Sequence, residues 1–319
     1  MSGELVGVSV VIPTFNRAEL LADTVRSVFA SDVGDVSDLG GVEVIVVDDG
    51  SAEPAEDALA TLVPPFWCRL RVVRQDNAGV GAARNRGYRE AVGPIVLFVD
   101  DDMLLLPGTL RTHVDAHGRH PNSVVFGRSP YVDQPRDRFV DWVLTLDNDP
   151  HRAAAAAIAP ATIVASGHLS VERSGPVRQW SEFYADDMRT PVAEEYELSD
   201  RLARHGVPIL VGRDIIAFHN RTIDVDTFLR QQHGHGRGCA EAARRHPECL
   251  ELSELRRIIT HHGRRSPKAT AWRLLATAPM RSALRRAAHL GRRGLLGPLG
   301  PAVFRVAAGA WFAAGLRSP

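Results

Sequence analysis

The chain of 319 residues has few cysteines, and their arrangement excludes several classes of protein. Cys68, Cys239 and Cys249 are odd in number and include no C-x-x-C pair. This pattern argues against a disulfide framework and against a cysteine zinc site, and it favours a reducing compartment. The N-terminus also lacks a basic region followed by an apolar stretch. We therefore expect a cytoplasmic protein without a secretory signal.

The sequence also has no uninterrupted apolar run of the length that spans a bilayer. The apolar stretch at residues 295–316 is broken by Pro298, Pro301 and Arg305. Such a stretch predicts an interfacial or packing helix rather than a transmembrane one.

Acidic residues are absent after Glu254, so the formal net charge of zero hides a separation of charge. Thirteen of the 38 basic residues follow Glu254, whereas all 38 acidic residues lie at or before it. Two interpretations stay open: the tail contacts an anionic membrane surface, or it packs on the acidic body or on a second subunit of a homo-oligomer. Nucleic acid is not an expected partner, because no nucleic-acid-binding motif accompanies the charge.

The first hundred residues alternate strand-like and helix-like patterns. Continuous apolar runs separated by helical spacing predict an α/β fold with a mostly parallel, Rossmann-like sheet flanked by helices. Further strands are predicted at 123–127, 161–167 and 215–220, and a helix at 193–206. A basic, mainly helical C-terminal region follows. We expect an α/β domain at residues 1–225 and this helical region at 226–319.

Two acidic clusters follow predicted strands directly. They are Asp48-Asp49, and the run Asp100 to Asp102. Ligands of parallel α/β sheets bind at the carboxyl ends of the strands. Buried carboxylates are costly without a partner, and Mg²⁺ and Mn²⁺ prefer oxygen ligands. The second cluster therefore indicates half of a metal–diphosphate clamp, although a D-x-D taken alone also fits a solvated turn.

Several motifs occur in a specific order over residues 5–225. They are VSVVIPTFNR, VIVVDDGS, NAGVGAARNRG, LFVDDDMLLLPGTL, SGHLSVERS, EEYELSDRL and FHN. In this order they resemble the family 2 glycosyltransferases of the GT-A fold. The resemblance implies an inverting glycosyltransferase that uses Mn²⁺ or Mg²⁺ and a nucleotide-diphosphate sugar, most often a UDP-sugar.

The resemblance also implies roles for individual residues. The expected nucleotide-sugar-binding residues are Pro13, Thr14, Asn16, Arg17, Asp48, Asp49, Arg84, Asn85, Asp100 and Asp101. The expected metal ligands are Asp102, Asp100 and His219. From the residues alone, Asp48 also fits a helix-capping acid, Arg84 a helix-face arginine paired with Glu90 or another acid, and His219 a structural histidine.

The catalytic base is expected at the start of the helix predicted at 193–206. Glu195 stands where the family has an aspartate, and Glu194 is the competing candidate. Either must reach a proton on the acceptor hydroxyl. Acidic residues in the first turn of a helix are also favoured by its dipole, which is the structural alternative for both.

Two other functions compete with glycosyl transfer. A nucleotidyltransferase on a similar fold normally needs a glycine-rich basic loop near the first strand, and IPTFNRAEL has one arginine and no glycine. A non-catalytic nucleotide-sugar binder would not need acids at every motif. The acceptor stays open between a lipid-linked glycan and a small metabolite.

Overall fold

A computed structural model describes residues 7–32, 40–132, 134–146, 157–188, 190, 192–263 and 266–318. The chain divides into two compact units. The first comprises residues 1–132, 150–189 and 201–221, and the second comprises 133–149, 190–200 and 222–319.

The first unit is built on a nine-stranded mixed sheet. Its strands are β1 (Val8–Thr14), β2 (Val42–Asp48), β3 (Cys68–Arg74), β4 (Ile95–Val99), β5 (Met103–Leu105), β6 (Val124–Arg128), β7 (Ile158–Pro160), β8 (His168–Glu172) and β9 (Ile209–His219). Their order is β3-β2-β1-β4-β8-β6-β9-β5, and β7 pairs with β9. The first four strands are parallel to one another, and β8 runs antiparallel to both of its neighbours. The predicted α/β class with a mostly parallel sheet is confirmed.

The continuous apolar runs of β1, β2 and β4 are explained by burial on both faces. Every residue of these three strands is buried. The first unit covers them with α1 (Ala18–Phe29), α2 (Ala55–Leu59) and α3 (Val80–Glu90), whereas α4 (Thr109–Arg119) packs on β6 and β9. In contrast, β3 is an edge strand, and its arginines are more exposed. The central strands therefore fix the position of the loops that follow their carboxyl ends.

One predicted strand is wrong. Residues 161–167 lie between β7 and β8 and form bends and a turn instead. The turn has a structural role, because the Gly167 carbonyl accepts a hydrogen bond of 2.9 Å from the Asp100 amide. Of the apolar residues in this segment Val164 is buried and Ala165 is exposed, so the segment is a turn that lies against the end of β4.

Three buried histidines lie between α4 and β8. His113 and His117 each form a 2.8 Å hydrogen bond with the Ser170 hydroxyl. His113 also lies 3.3 Å from Nδ1 of His168. Burial lowers the pKa of His117 and of His168 to about 4, and it lowers that of His113 well below its usual value. All three are therefore neutral at physiological pH.

The second unit is helical. Its helices include α5 (Arg138–Leu146), α7 (Val225–Arg245), α8 (Ser253–Gly263), α9 (Pro267–Leu275), α10 (Ala278–Arg292) and α11 (Gly300–Gly315), and α6 (Ala193–Arg204) begins in it. Its core contains an aromatic cluster of Phe139, Trp142, Phe228 and Phe304. No helix in the described ranges is long and apolar enough to span a membrane.

Candidate functional site

The predicted nucleotide-binding segments meet at the carboxyl edge of the parallel strands. Thr14 and Asp48, the last residues of β1 and β2, are register partners. Asp100 directly follows β4, whose neighbour is β1. Because parallel strands bring their carboxyl ends to one edge, residues far apart in sequence come together there.

Asp101, the middle residue of the D-x-D, is buried and faces the end of β1. It accepts a 2.8 Å hydrogen bond from the Thr14 hydroxyl and a 3.0 Å bond from Nη1 of Arg17. Burial raises its pKa to about 6, although Arg17 and Thr14 act in the opposite direction. Asp101 therefore ties the loop after β1 to the acidic cluster.

Asp102 is the most heavily paired carboxylate of the cluster. Its Oδ2 lies 3.5 Å from Nη1 of Arg17 and 3.3 Å from Nε of Arg221. Its Oδ1 lies 3.5 Å from Nδ1 of His219. Burial alone would raise its pKa, but the contacts with His219, Arg221 and Arg17 outweigh burial and lower it. Asp102 is therefore ionised and lies between two arginines and His219.

Asp100 pairs with the buried side chain of Arg84. The distance from Nη2 of Arg84 to Oδ1 of Asp100 is 2.7 Å, and the guanidinium also stacks on Tyr184 at 5.1 Å. The alternative for Arg84, a pair with Glu90 or another acid, is met by another acid, Asp100, while Glu90 contacts Arg71 and Arg86. Arg84 lies on the face of α3 that packs against the sheet, and Glu90 lies at the end of that helix.

These contacts explain how the fold tolerates three consecutive aspartates. Asp100 has Arg84, Asp101 has Arg17, and Asp102 has Arg17 together with Arg221. The attraction of these arginines offsets the repulsion among the carboxylates, which is strong where water is excluded. The result is a compact cluster of opposite charges at the carboxyl edge of the parallel strands.

The two acids at the end of β2 organise neighbouring loops. Asp48 accepts hydrogen bonds from the amides of Ser51 and Ala55, and Arg74 lies 2.9 Å from its Oδ2. It thus fixes the turn before α2. Burial would raise the pKa of Asp48, but these contacts lower it.

Asp49 instead holds the loop before α3. Its carboxylate accepts bonds of 2.9 Å from the amides of Ala78 and Gly79, and a 2.8 Å bond from Gln75. The positive φ of Gly79, at +96°, allows the backbone to turn at this point. The loop geometry therefore depends on the carboxylate predicted to contact the base.

A cavity of about 210 Å³ opens between the loops after β1 and β2. It is lined by Thr14, Asn16, Arg17, Ala18, Leu21, Ser51, Ala52, Glu53 and Ala55. Asn16 bridges the two loops, because its backbone amide donates to the Ser51 hydroxyl and its side-chain Oδ1 accepts from the backbone amide of Ala52. Pro13 lies one residue before the loop, within β1 and opposite Val47.

Asn85 is fully buried, and both the oxygen and the nitrogen of its side-chain amide form hydrogen bonds. Its Oδ1 accepts from the amides of Phe183 and Tyr184, and its Nδ2 donates to the Tyr184 carbonyl and to Asp186. Through these contacts Asn85 fixes the segment that carries Tyr184, the ring on which Arg84 stacks. Its expected role in binding nucleotide-sugar would therefore be exerted through this segment.

The candidate bases lie in the first turn of α6, within the second unit. Glu194 is buried, with 4% of its surface exposed, whereas Glu195 is partly exposed. The two side chains therefore differ in solvent exposure.

Sequence analysis missed Arg221 and Tyr131. Arg221 stacks on Tyr131 at 5.7 Å while it contacts Asp102, and the Tyr131 ring also lies 5.0 Å from that of His219. The available signal was a lone arginine two residues after His219. Its proximity to Asp102 depends on the antiparallel pairing of β5 with β9, in which Met103 is opposite His219.

Known protein structures share this fold. A mannosyltransferase from Pyrobaculum calidifontis, solved in complex with GDP-Man and Mn²⁺, has a TM-score of 0.60 at 20% identity, over 96% of this chain and 87% of that one. Residues 1–349 of TarS from S. aureus, solved with UDP, give a TM-score of 0.54 at 16% identity, over 97% and 89%.

Curated sequences are also similar. Validoxylamine A glucosyltransferase from Streptomyces hygroscopicus subsp. jinggangensis is 28% identical over 284 residues, covering 80% of this chain. The chain spans 64% of that relative and 60% of the same-named protein from subsp. limoneus. The family model for glycosyl transferase family 2 matches residues 9–179, which is more than half of the chain. The chain therefore belongs to glycosyl transferase family 2.

Proposed function

We propose that the chain is an inverting, metal-dependent glycosyltransferase that moves a sugar from a nucleotide-diphosphate sugar to an acceptor hydroxyl. The observation that carries this proposal is the convergence of Asp100, Asp101 and Asp102 with three arginines and His219 at the edge of the sheet. Membership of a family of glycosyltransferases supports it.

The chemistry of Asp102 and His219 fits a divalent cation. Nδ1 of His219 is buried and has no hydrogen-bond partner among the described residues, and it lies 3.5 Å from Oδ1 of Asp102. Among the same residues, no group of three or more His, Cys, Asp or Glu side chains is arranged to hold a metal. Mg²⁺ commonly uses one or two carboxylates and takes its other ligands from phosphates and water. We therefore assign Asp102 and His219 as the protein ligands, with Asp100 as a further candidate.

The arginines suit the diphosphate of the donor. A cation bound at Asp102 would neutralise charge that develops on the leaving diphosphate. Arg17 and Arg221 share Oδ2 of Asp102, and the two side chains are 47% and 26% exposed. Both can therefore turn towards a phosphate while remaining beside the cluster, and a guanidinium binds phosphate well.

The nucleoside would lie along the carboxyl edge of the parallel strands, beside the cavity that Thr14, Asn16 and Arg17 help to line. Asp49 would contact the base and Asp100 the ribose, and Thr14, Asn16 and Arg17 would border the nucleotide. The rigidity of Asp49, which is held by three hydrogen bonds, supports this role because a specific pocket needs preorganised polar groups.

Glu195 is the proposed base, since it is the more accessible of the two candidates. It would remove the proton from the acceptor hydroxyl as that oxygen attacks the anomeric carbon opposite the diphosphate. The bond from that carbon to the diphosphate oxygen breaks in the same displacement. One displacement inverts the anomeric configuration and needs no covalent enzyme intermediate.

The donor is proposed to be a UDP-sugar. TarS has been solved with UDP and with UDP-GlcNAc, which supports this choice. The mannosyltransferase complex with GDP-Man makes GDP-sugars the main competitor. The relatives named validoxylamine A glucosyltransferase support glucose as the sugar to be tested first.

The proposal is tested by proton NMR of the product. Incubation with UDP-glucose, Mn²⁺ and an acceptor panel of small polyols and lipid-linked glycans should give a glycoside of inverted configuration. Glu195→Gln should bind the donor but not transfer sugar. Glu194→Gln makes the same change in the competing candidate and is measured beside it. Retention of configuration would contradict the mechanism, and unchanged turnover of Glu195→Gln would contradict the assignment of the base. Nucleotide binding without transfer to any acceptor would favour a non-catalytic binder.

A further inference from the structure

The last part of the second unit exposes basic and apolar side chains without any acidic ones. No Asp or Glu follows Glu254 in the sequence. In residues 266–318, the exposed large apolar side chains are Leu274, Met280, Leu290, Leu295 and Leu299. The exposed basic side chains in the same range are Lys268, Arg285, Arg286, Arg293, Arg305 and Arg317.

On one face of α10, the arginines contact other residues of the second unit. Arg285 forms two bonds to the carboxylate of Asp226, at 2.6 and 2.7 Å. Arg292 donates a 2.6 Å bond to Asp137, and Arg281 stacks on Trp311 at 5.4 Å. Part of the basic charge after Glu254 is therefore paired or packed within the second unit.

The opposite face of α10 has a different pattern. Arg286, Leu290 and Arg293, which directly follows the helix, lie at spacings of four and three residues, which places them on one side. Met280 is exposed in the first turn of the same helix. Arg286 hydrogen-bonds only to Ser282 of its own helix, and neither arginine has an ion pair among the described residues. This face thus combines unneutralised guanidinium groups with Leu290, which is 43% exposed.

The apolar character continues through the turn after α10. Leu295 and Leu299 are 67% and 65% exposed, on either side of Pro298. Arg305 follows on the exposed side of α11. Several large apolar side chains so close together are more than the scattered exposure that is normal for a protein surface.

We infer that the outer face of α10 and the turn at residues 293–299 bind the surface of an anionic lipid bilayer. Exposed leucines insert at the boundary of headgroups and acyl chains, and arginines pair with anionic headgroups. A second copy is disfavoured as the occupant, because a two-fold contact through this face would bring arginines against arginines. The described helices include none that could span the bilayer, so the contact lies at the interface.

Vesicle co-sedimentation of the full chain, without donor, tests this inference independently of transfer activity. The probes are phosphatidylcholine vesicles with and without phosphatidylglycerol. Wild-type protein should bind the anionic vesicles, and added salt should weaken that binding. The double variant Arg286→Glu/Arg293→Glu should bind them at least about tenfold more weakly.

Removal of the apolar contacts should have a similar effect. Leu295→Ser/Leu299→Ser should also lose most of the binding. Phe66→Ser is the matched control, because Phe66 is 90% exposed but lies in the first unit. Arg119→Glu, at an exposed position of α4, is the corresponding charge control. Neither control should change binding, and thermal unfolding by circular dichroism confirms that each variant is folded.

Three results would overturn the inference. One is equal binding of wild-type protein to neutral and anionic vesicles, or binding to neither. A second is an equal loss of binding in the Phe66→Ser or Arg119→Glu control. The third is a wild-type dimer in sedimentation velocity that Leu295→Ser/Leu299→Ser converts to monomer, which would assign the face to a second copy.

Discussion

At the scale of single residues, the site depends on carboxylates that share a few cations. Asp102 contacts Arg17, Arg221 and His219, while Asp101 holds Arg17 and Thr14 in place. A change at one member therefore alters the partners of the others, so effects of substitutions within this cluster will not be additive.

Arg221→Gln tests the proposed contact with the diphosphate. We expect the KM for the donor to rise about tenfold or more, because a charge-assisted hydrogen bond is lost. Arg221→Lys should restore part of the affinity, since it keeps the charge but not the guanidinium geometry. Arg26→Gln is the control, because Arg26 pairs with Asp23 on the surface of α1. Steady-state kinetics with varied donor measures all three, and an unchanged KM for Arg221→Gln would refute the role.

The buried histidines make stability depend on pH. The unfolded chain takes up a proton at each histidine near its ordinary pKa of 6.5, whereas folded His117 and His168 titrate only at about 4. Stability is therefore lost as pH falls from about 6.5 to about 4, by about 2 kcal/mol for each of these two residues at pH ~5.

Urea unfolding at about pH 7 and about pH 5 measures this loss. His117→Gln should reduce the difference in unfolding free energy between the two pH values by about 2 kcal/mol. His120→Gln, at the exposed end of α4, should leave the difference unchanged. An equal pH dependence in wild type and His117→Gln would show that the histidine is not held neutral by burial.

At the scale of elements, the site requires close contact between α3 and β1. A Cβ added at Gly87 would lie 2.2 Å from Cγ1 of Val11. Because Val11 is fully buried in its strand, its side chain has no room to move away from this clash. This contact sets the position of Arg84 and Asn85, which precede Gly87 on the same helix.

Gly87→Ala should destabilise the protein by about 1–3 kcal/mol through overpacking. Gly118→Ala is the matched substitution, because a Cβ at that exposed position of α4 meets nothing within 4 Å. It should stabilise the protein by a few tenths to about 1 kcal/mol, as helical alanine replaces glycine. Chemical denaturation compares the two, and similar effects of both substitutions would contradict the packing argument.

Sequence patterns predict some elements much better than others. The continuous apolar runs of β1, β2 and β4 are diagnostic because both faces of these strands are buried. The same criterion wrongly predicted a strand at 161–167, where the chain forms bends and a turn and Val164 alone of the apolar residues is buried. The three-residue strand β5 was also missed, because it exists only through its pairing with β9. Arg221 was overlooked for the same reason.

At the scale of the whole molecule, each of the two units is formed by several separate segments of the chain. Residues 133–149 and 190–200 belong with the C-terminal helices rather than with the sheet. Linear composition does not reveal this, because it follows from tertiary contacts such as those of Phe139 with Phe228 and Phe304. In contrast, the concentration of positive charge after Glu254 is visible directly in the sequence.

The central claim is that the acidic cluster binds a nucleotide-diphosphate together with a divalent cation. Calorimetric titration of UDP, GDP and dTDP, each with Mn²⁺ and with EDTA, tests it most directly. We predict that UDP binds tightly only with Mn²⁺, and that Asp102→Asn abolishes this dependence without loss of folded structure. Equal affinity in Mn²⁺ and EDTA, or unchanged metal-dependent binding by Asp102→Asn, would contradict the account.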